Sequence, residues 1–239
     1  MPPQSPLSFE EWFARRHPMQ RSITNMPPSN DLEAFQRWLV KGRSLTILTG
    51  AGVSAESGIP TFRGAGGLWR TYSAPALSSP DTWARDPGLV WEFYHFRRDL
   101  MGSKSPNPAH FAIADIESRL TAAGAHFHLL TQNIDDLHLA AGSKNVTRLH
   151  GSLWQVRCVG CGEVTENKNV PITPAFAGSG APDPATQSRH FSREELPHCK
   201  TCQDLLRPHV VWFGEALDSG DLKAAREAVR ACSTFLVIG

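Results

Sequence analysis

The chain lacks the features that mark membrane proteins and nucleic-acid-binding proteins. Nowhere in its 239 residues do 18 apolar residues follow one another, so we expect no membrane-spanning helix. Its 24 basic and 23 acidic residues leave a formal charge of +1, and this balance gives no support for binding nucleic acid. Hydrophobic residues nevertheless make up 41% of the chain. The sequence therefore predicts one large domain with a substantial core, or such a domain with a small module.

Cysteine is also scarce, since the chain contains only five. Four of them form two C-x-x-C pairs, Cys158 with Cys161 and Cys199 with Cys202. Four thiolates at this spacing predict a tetrahedral zinc site, and four protein ligands leave no position for a catalytic water, so the zinc would be structural. Disulfides and unliganded thiols are the alternatives, but this usage of cysteine favours a reducing compartment. Cys232 is interpreted as a buried apolar residue.

Short apolar segments alternate with helical patterns along most of the chain. Strands are expected at 44–49, 126–131, 146–150, 210–213 and 235–239, and helices at 32–40, 88–101, 109–123 and 222–231. This alternation predicts an α/β fold with a parallel sheet. Residues 61–88 show little periodicity, and irregular chain of that length in a compact domain is usually functional.

Two parts of the chain depart from this pattern. Residues 158–202 contain the paired cysteines and a stretch rich in proline and glycine, which indicates a small inserted module. The first 30 residues are rich in proline and serine. Arg15 and Arg16 fit a mitochondrial transit peptide, whereas Glu10 and Glu11 argue against one, so a disordered tail is an equal alternative.

A glycine turn follows the first predicted strand. Gly50, Gly52 and Ala55 fit the G-x-G-x-x-G/A fingerprint, in which glycine permits a tight turn and lets the backbone approach a pyrophosphate. The helix expected next would offer free N–H groups to phosphate, although a plain structural turn is the alternative. An ordinary dehydrogenase needs an acidic residue about 20 residues later. The stretch 62–70 has none, and instead offers glycines and Arg63, which disfavours hydride transfer.

Polar residues follow two predicted strands. Gln132, Asn133 and Asp135 come after one strand, and His150 ends another, directly before a glycine. Ligands of parallel α/β sheets bind beyond the carboxyl ends of the strands, where amides and a carboxylate can recognise a carboxamide or a ribose. A neutral imidazole there can accept a proton from a hydroxyl. A hydrogen-bonded turn histidine is the equal alternative for His150, and the other nine histidines are interpreted as surface or tail residues.

The predicted helix 88–101 contains a second pair of polar side chains. Tyr94 and Arg97 are three residues apart and therefore share a helix face. A guanidinium and a phenol hydroxyl together form a suitable receptor for a carboxylate. By pattern alone, a solvated arginine beside a half-buried tyrosine is the more common arrangement.

Five motifs occur in a fixed order along residues 40–239. They are GAGVSAESGIPTFRG at 50–64, TQNID at 131–135, LHGS at 149–152, the two C-x-x-C pairs, and VVWFGE at 210–215. In order and spacing they resemble the sirtuin family of NAD-dependent protein lysine deacylases. The resemblance implies a Rossmann-like parallel-sheet domain with a small inserted zinc-binding module, and a cleft between them for NAD and the substrate peptide.

The resemblance also implies roles for individual residues. His150 would be the general base. NAD would contact Gly50, Ala51, Gly52, Ser54, Ala55, Thr61, Phe62, Arg63, Gly64, Trp69, Gln132, Asn133, Ile134, Asp135 and Gly239. The acylated peptide would contact Ala65, Tyr94 and Arg97, and would pair as an added strand with Val211, Trp212, Phe213, Gly214 and Glu215. Zinc would be bound by Cys158, Cys161, Cys199 and Cys202.

The implied reaction consumes NAD. The acyl-lysine carbonyl oxygen attacks the ribose C1′ as nicotinamide leaves, and His150 helps a ribose hydroxyl to lose its proton. The products are free lysine, nicotinamide and O-acyl-ADP-ribose. Tyr94 and Arg97, together with the small Ala65, resemble the branch of the family that removes succinyl, malonyl and glutaryl groups.

The resemblance implies a domain division and a setting as well. Residues 1–30 would be a disordered tail, 31–152 and 203–239 the NAD-binding domain, and 153–202 the zinc domain, to which 61–105 would contribute. The partners would be acylated lysines of proteins, with no nucleic acid and no membrane. A monomer is expected, in the mitochondrion or alternatively in the cytoplasm or nucleus.

One departure from the family pattern concerns the last residue, Gly239. Sirtuins continue there with a Gly-Thr-Ser ribose contact and further strands, so we interpret the chain as C-terminally truncated. The alternative to an active deacylase is therefore a catalytically impaired protein that retains the NAD and peptide sites.

Overall fold

The computed structural model describes residues 30–41, 44–61, 68–186 and 189–239. It separates into two units, residues 1–41 and 42–239. Within the described part of the first unit, the helix α1 spans Leu32–Lys41. The Asp31 carboxylate caps it, because its Oδ1 accepts the Ala34 N–H at 2.8 Å.

The second unit contains the strands and the remaining helices. The strands are β1 (Ser44–Thr49), β2 (Leu68–Trp69), β3 (Tyr72–Ser73), β4 (His126–Thr131), β5 (Val146–Arg148), β6 (Gly151–Cys158), β7 (Val164–Glu166), β8 (Leu206–Val210) and β9 (Thr234–Ile238). The helices are α2 (Ala74–Leu77), α3 (Pro80–Arg85), α4 (Pro87–Gly102), α5 (Pro108–Ala122), α6 (Leu137–Ala140) and α7 (Ser219–Ala231). Ordered elements β2, β3, α2 and α3 thus occupy much of the stretch 61–88 that was expected to be irregular.

Four strands form the parallel sheet that the alternating pattern predicted. Their order is β5–β4–β1–β9, and all six residues of β1 are buried, as is typical of a central strand covered on both faces. Within the sheet, β4 lies on one side of β1 and β9 lies on the other side. The strand order therefore reverses at β1, and the carboxyl ends of the strands at such a switch point form the ligand crevice of this architecture.

The turn after β1 is held by contacts between glycine backbones. A Cβ atom on Gly50 would lie 2.9 Å from the Gly239 oxygen, and one on Gly52 would lie 2.9 Å from the Gly239 carbonyl carbon. Any larger residue would therefore push the turn away from β9. The helix expected after the turn is a 3-10 helix, Ala51–Ser57. It ends at Gly58, whose left-handed φ of 78° is readily adopted only by glycine.

A second sheet is antiparallel, and its central strand β6 ends at Cys158, the first of the paired cysteines. Its order is β7–β6–β8. The strand expected at 210–213 lies earlier, at Leu206–Val210, because this segment pairs with β6 from Gly151 to Cys158. β8 pairs within the sheet of the cysteine module, whereas the predicted boundary at residue 203 assigns it to the NAD-binding domain. The division into two domains stays a prediction.

Helix α4 runs through the main core and is buried on most of its faces. Val90, Trp91 and Phe93 are at most 1% exposed. They belong to one hydrophobic cluster with residues of β6 and of the segment that follows β4. Within the described part of the chain, no helix is long and apolar enough to cross a membrane.

Two buried polar contacts fix helix α4. The Arg70 guanidinium forms a bidentate ion pair with the Glu92 carboxylate, with N···O distances of 2.6 and 3.0 Å. Both side chains are only 2% exposed. Further along the helix, Arg98 donates to the Leu153 carbonyl at 2.8 Å and to the loop at Asn167. Removing one partner of such a buried pair typically lowers the free energy of unfolding by several kcal/mol. These contacts therefore fix the rotation of the helix about its axis.

Candidate active site

A cavity of about 410 Å³ opens beyond the carboxyl ends of the parallel strands, between them and the segment that follows β8. This is the crevice that the switch point predicts. Its volume lies within the range of small-molecule sites. The residues that line it are Ala51, Ser54, Ile59, Pro60, Ala74, Pro75, Ser78, Tyr94, Arg97, Met101, Gln132, Asn133, Ile134, Asp135, His150, Val210, Val211, Trp212, Phe213, Gly214, Glu215 and Leu217.

A buried hydrogen-bond network forms one wall of the cavity. Ser54 Oγ donates to Asp135 Oδ2 at 2.7 Å and accepts from Asn133 Nδ2 at 3.1 Å. The second oxygen of Asp135 accepts the Leu137 N–H at 2.9 Å. Ser54 comes from the 3-10 helix after β1, and the other two follow β4. The network therefore holds a carboxylate and an amide in fixed positions at the sheet edge.

His150 lies half-buried in the same wall. Its Nδ1 is 2.9 Å from the Gln132 carbonyl oxygen. Because a carbonyl oxygen only accepts, Nδ1 must be the donor, so Nε2 of the neutral ring is left without a proton. Burial lowers the pKa of His150 below 6.5, and the bond to Gln132 opposes only part of this effect. The imidazole is therefore neutral at pH 7 and can act as a base through Nε2.

The opposite wall contains the tyrosine and arginine of α4. Tyr94 is fully buried, and its hydroxyl accepts the Trp212 indole N–H at 3.0 Å and lies 3.2 Å from Ser78 Oγ. The Arg97 guanidinium lies 5.5 Å from the centre of the Tyr94 ring. Burial lowers the pKa of Arg97, while Tyr94 and the carboxylate of Asp135 oppose that shift. Arg97 thus brings a positive charge into a cavity that otherwise has few cations.

The segment after β8 closes the cavity and links the two walls. The Val211 N–H donates to the His150 carbonyl at 3.0 Å, and the Phe213 N–H donates to the Ser78 carbonyl at 2.9 Å. Trp212 and Phe213 differ sharply, since Trp212 is 2% exposed and Phe213 is 64% exposed. The predicted pairing of 211–215 with a peptide strand stays a prediction.

The structure brings together most of the residues that the motifs predicted. Ala51, Ser54, Gln132, Asn133, Ile134, Asp135, His150, Tyr94, Arg97 and all of 211–215 line the cavity. Gly50, Gly52, Ala55, Thr61 and Gly239 are outside its lining, although the three glycines form the adjoining turn. Phe62, Arg63, Gly64 and Ala65 lie outside the described residues.

The contact between Trp69 and the cofactor that the resemblance implies stays a prediction, and the contacts that the structure describes for Trp69 are with the core. Trp69 is 1% exposed and is absent from the cavity lining. Its indole N–H donates to the Gly180 carbonyl at 3.0 Å, and its ring packs edge-on against Phe93. Trp69 is therefore a core residue that joins the β2–β3 hairpin to the cysteine module.

Two histidines that were interpreted as surface residues are buried behind the Ser54 network. His110 and His138 are 0% and 2% exposed, and their ring centres are 4.8 Å apart. His110 Nδ1 accepts the Asn107 N–H at 3.2 Å, so the protonated Nε2 faces Ser54 Oγ at 3.3 Å. Burial lowers the pKa of His138 to about 4. The sequence signal for His110 was its position three residues after Asn107 at the start of α5, where the two form a capping box.

The four paired cysteines converge as the zinc prediction requires. Their sulfur atoms all lie within 4.8 Å of one another, with 3.3 Å between Cys158 and Cys202 and 3.7 Å between Cys161 and Cys199. A tetrahedral ion with sulfur ligands at about 2.3 Å separates them by about 3.8 Å. The set therefore fits a closed structural zinc site. Cys232 lies apart from it and is only partly buried.

Comparison with known proteins gives consistent results. The Sir2 family matches residues 50–239. The chain is 55% identical to "NAD-dependent protein deacylase sirtuin-5, mitochondrial" of Danio rerio, over 92% of this chain and 72% of that protein. It is 55% identical to an "NAD-dependent protein deacylase" of Daphnia pulex, over 89% of this chain and 78% of that protein.

Solved structures agree in fold. A structure described as a Sir2 homolog–NAD complex superposes with a TM-score of 0.74 at 39% identity, over 90% of this chain and 75% of that chain. One described as Sir2 bound to acetylated peptide superposes with a TM-score of 0.65 at 29% identity, over 87% of this chain and 75% of that chain.

Proposed function

Since the chain belongs to the Sir2 family, we propose that it is an NAD-dependent protein lysine deacylase that prefers acidic acyl groups, namely succinyl, malonyl and glutaryl. The observation that supports this most directly is the cavity itself. It contains a neutral histidine, a fixed amide–carboxylate pair and a buried arginine within one volume of about 410 Å³. The histidine, the amide and the carboxylate suit NAD chemistry, and the arginine suits a negatively charged acyl group.

The residues of the first wall fit NAD. Asn133 and Asp135 present an amide and a carboxylate that match the hydrogen-bonding groups of a nicotinamide carboxamide, and Ser54 holds them in place. When bound, NAD supplies an activated ribose C1′ whose bond to nicotinamide breaks as the acyl oxygen attacks. Gly50, Gly52, Thr61, Arg63 and the rest of the predicted cofactor set stay part of this proposal.

His150 has the proton-transfer role. Its Nδ1 is occupied by the Gln132 carbonyl, so Nε2 is the atom that accepts a proton from a ribose hydroxyl. Because burial lowers the pKa of His150, the ring is ready to accept at pH 7. The fixed position of the ring supplies orientation, which accounts for much of enzymatic rate enhancement.

Arg97 and Tyr94 bind the acyl end of the substrate. A buried guanidinium recognises a carboxylate strongly, because it forms paired charge-assisted hydrogen bonds with it in a site of low dielectric constant. The substrate backbone binds along 211–215, where the exposed Phe213 lies at the mouth of the cavity. The four cysteines bind a structural zinc ion, which ties the cysteine module together.

The relatives also suggest a setting. Several are named mitochondrial, and we propose the mitochondrion as the compartment and a monomer as the working form. We further propose two domains, one on the parallel sheet and one on the antiparallel sheet, with the cavity bordered by residues of both.

The decisive experiment incubates the purified chain with NAD and a succinyl-lysine peptide. Mass spectrometry should detect the loss of the succinyl group, and chromatography should detect nicotinamide in equal amount. The same peptide with an acetyl group should react more slowly. Absence of nicotinamide release with either peptide would rule out the enzymatic proposal, whereas equal rates would rule out only the acidic preference.

A further inference from the structure

The indole of Trp212 restricts the hydrogen bonds that the Tyr94 hydroxyl can form. The Trp212 indole N–H lies 3.0 Å from it, and indole nitrogen is a donor only. The Tyr94 oxygen must therefore accept this bond, which leaves its own proton for another acceptor. Ser78 Oγ lies 3.2 Å from the same oxygen and is a hydroxyl that can act as donor or acceptor, and the Arg97 side chain also hydrogen-bonds to Tyr94.

Trp212 is itself rigidly held. Its ring lies 3.4 Å below the Arg207 guanidinium, and Arg207 binds the Glu215 carboxylate at 2.6 and 2.9 Å. The Glu215 carboxylate also accepts the Trp212 backbone N–H at 2.9 Å. Indole, guanidinium and carboxylate thus form one stacked unit, so the direction of the indole N–H toward Tyr94 is fixed before any substrate binds.

We propose that Trp212 is a specificity-determining residue, which acts by positioning Tyr94 so that the tyrosine hydroxyl donates its proton to an acidic acyl group beside Arg97. The inference rests on the proposed preference for acidic acyl groups and adds a residue that acts through another side chain. It also assigns a second task to the 211–215 segment, because the segment that borders the substrate backbone would then set the polarity of the acyl pocket.

The test replaces Trp212 by phenylalanine, which keeps a ring over Arg207 and removes the N–H. We measure kcat and KM with matched succinyl-lysine and acetyl-lysine peptides. Loss of one hydrogen bond to a group that binds a carboxylate should lower the succinyl-to-acetyl ratio of kcat/KM about 5- to 10-fold. Most of this change should appear in KM for the succinyl peptide.

A double-mutant cycle separates positioning from general packing. In a Tyr94→Phe background the hydroxyl is gone, so Trp212→Phe should alter the ratio no further. The matched control is Trp91→Phe, which also loses a buried indole N–H bond, to the Leu206 carbonyl at 2.8 Å, but lies outside the cavity lining. This control should leave the ratio unchanged.

If Trp212→Phe folds poorly, benzothienylalanine at position 212 preserves the shape of the side chain and lacks only the N–H. The inference is overturned if the ratio survives loss of the N–H, if both peptides lose activity equally, or if the two substitutions are additive. A wild-type chain that shows no preference for the succinyl peptide would overturn the proposed function and this inference together. A wild-type preference that Trp212→Phe leaves intact overturns the inference alone.

Discussion

The two walls of the cavity differ in origin and in chemistry. The reaction wall, which consists of Ser54, Asn133, Asp135 and His150, comes from loops that follow the parallel strands, and its groups are fixed by bonds to one another and to backbone. The acyl wall, which consists of Ser78, Tyr94, Arg97 and Trp212, comes from α4, its neighbouring segments and the residues after β8. The proposed function thus assigns bond-breaking and acyl selection to separate parts of the fold, and it predicts that each can be changed while the other persists.

The largest effect is expected from a change that disrupts the support of the acyl wall. Cys199→Ser removes one of four converging thiolates, and a structural zinc ion contributes on the order of 10 kcal/mol to folding of small zinc modules. We expect loss of zinc, of the cysteine module and of activity on every acyl group. Zinc analysis, circular dichroism and peptide assays measure these outcomes.

Cys232→Ser is the matched control, because Cys232 lies outside the four-thiol set. It should retain zinc and activity. Full zinc content in the Cys199→Ser protein would show that the four thiolates are not the ligands.

The next largest effect tests the reaction wall alone. His150→Ala should lower kcat/KM about 10²- to 10⁴-fold, the usual contribution of a general base. Because the acyl wall is untouched, succinyl and acetyl peptides should lose activity in the same proportion. His128→Ala replaces a partly buried histidine that lies outside this cavity and contacts Thr147, and should remain active. Selective loss of only one substrate would contradict the division into two walls.

A smaller effect is expected from the acyl wall. Arg97→Met keeps much of the side-chain volume and removes the charge, so activity on the succinyl peptide should fall about 100-fold, as for loss of a buried charge pair. Weak deacetylation should persist. Steady-state kinetics with both peptides decide the matter, and an equal loss of both activities would exclude a carboxylate-binding role for Arg97.

The smallest effect concerns pH. The His150 base must be neutral, and its pKa is lowered from 6.5 by burial, so kcat/KM should be constant near pH 7 and decline only as the pH falls through that lowered pKa. Below it the decline approaches about tenfold per pH unit. Profiles from pH 5 to 8 should show the same midpoint for both acyl groups. A midpoint above 6.5 would mean that another group limits the reaction.

Much of the reaction wall could be predicted because its signals are local in sequence. The glycine turn, the polar residues after β4 and the C-x-x-C pairs are short patterns whose geometry follows from strand ends and ligand spacing. The helix after the turn was predicted, but its 3-10 form was not, and Gly58 with its left-handed φ of 78° ends it after only two turns. Its own composition gave no sign of the 3-10 form.

The features that were missed depend on tertiary contacts. His110 and His138 become buried only when α5 and α6 pack behind the sheet, and no periodicity along the chain reports that encounter. Leu206–Val210 has the sequence LRPHV, which contains no apolar run that would predict a strand, and its antiparallel partner β6 lies some 50 residues earlier. The contacts of Trp69 with Phe93 and Gly180 are likewise tertiary, and its predicted contact with the cofactor stays a prediction.

The buried contacts at Glu92 and Arg98 have a consequence for protein engineering. They lie on either side of Tyr94 and Arg97 and prevent α4 from turning about its axis. A designer who wishes to admit a bulkier or uncharged acyl chain therefore gains nothing by sliding or rotating this helix. Space for a longer acyl chain must instead come from shortening larger side chains elsewhere in the cavity lining, such as Ile59 and Ile134, while α4 stays in place.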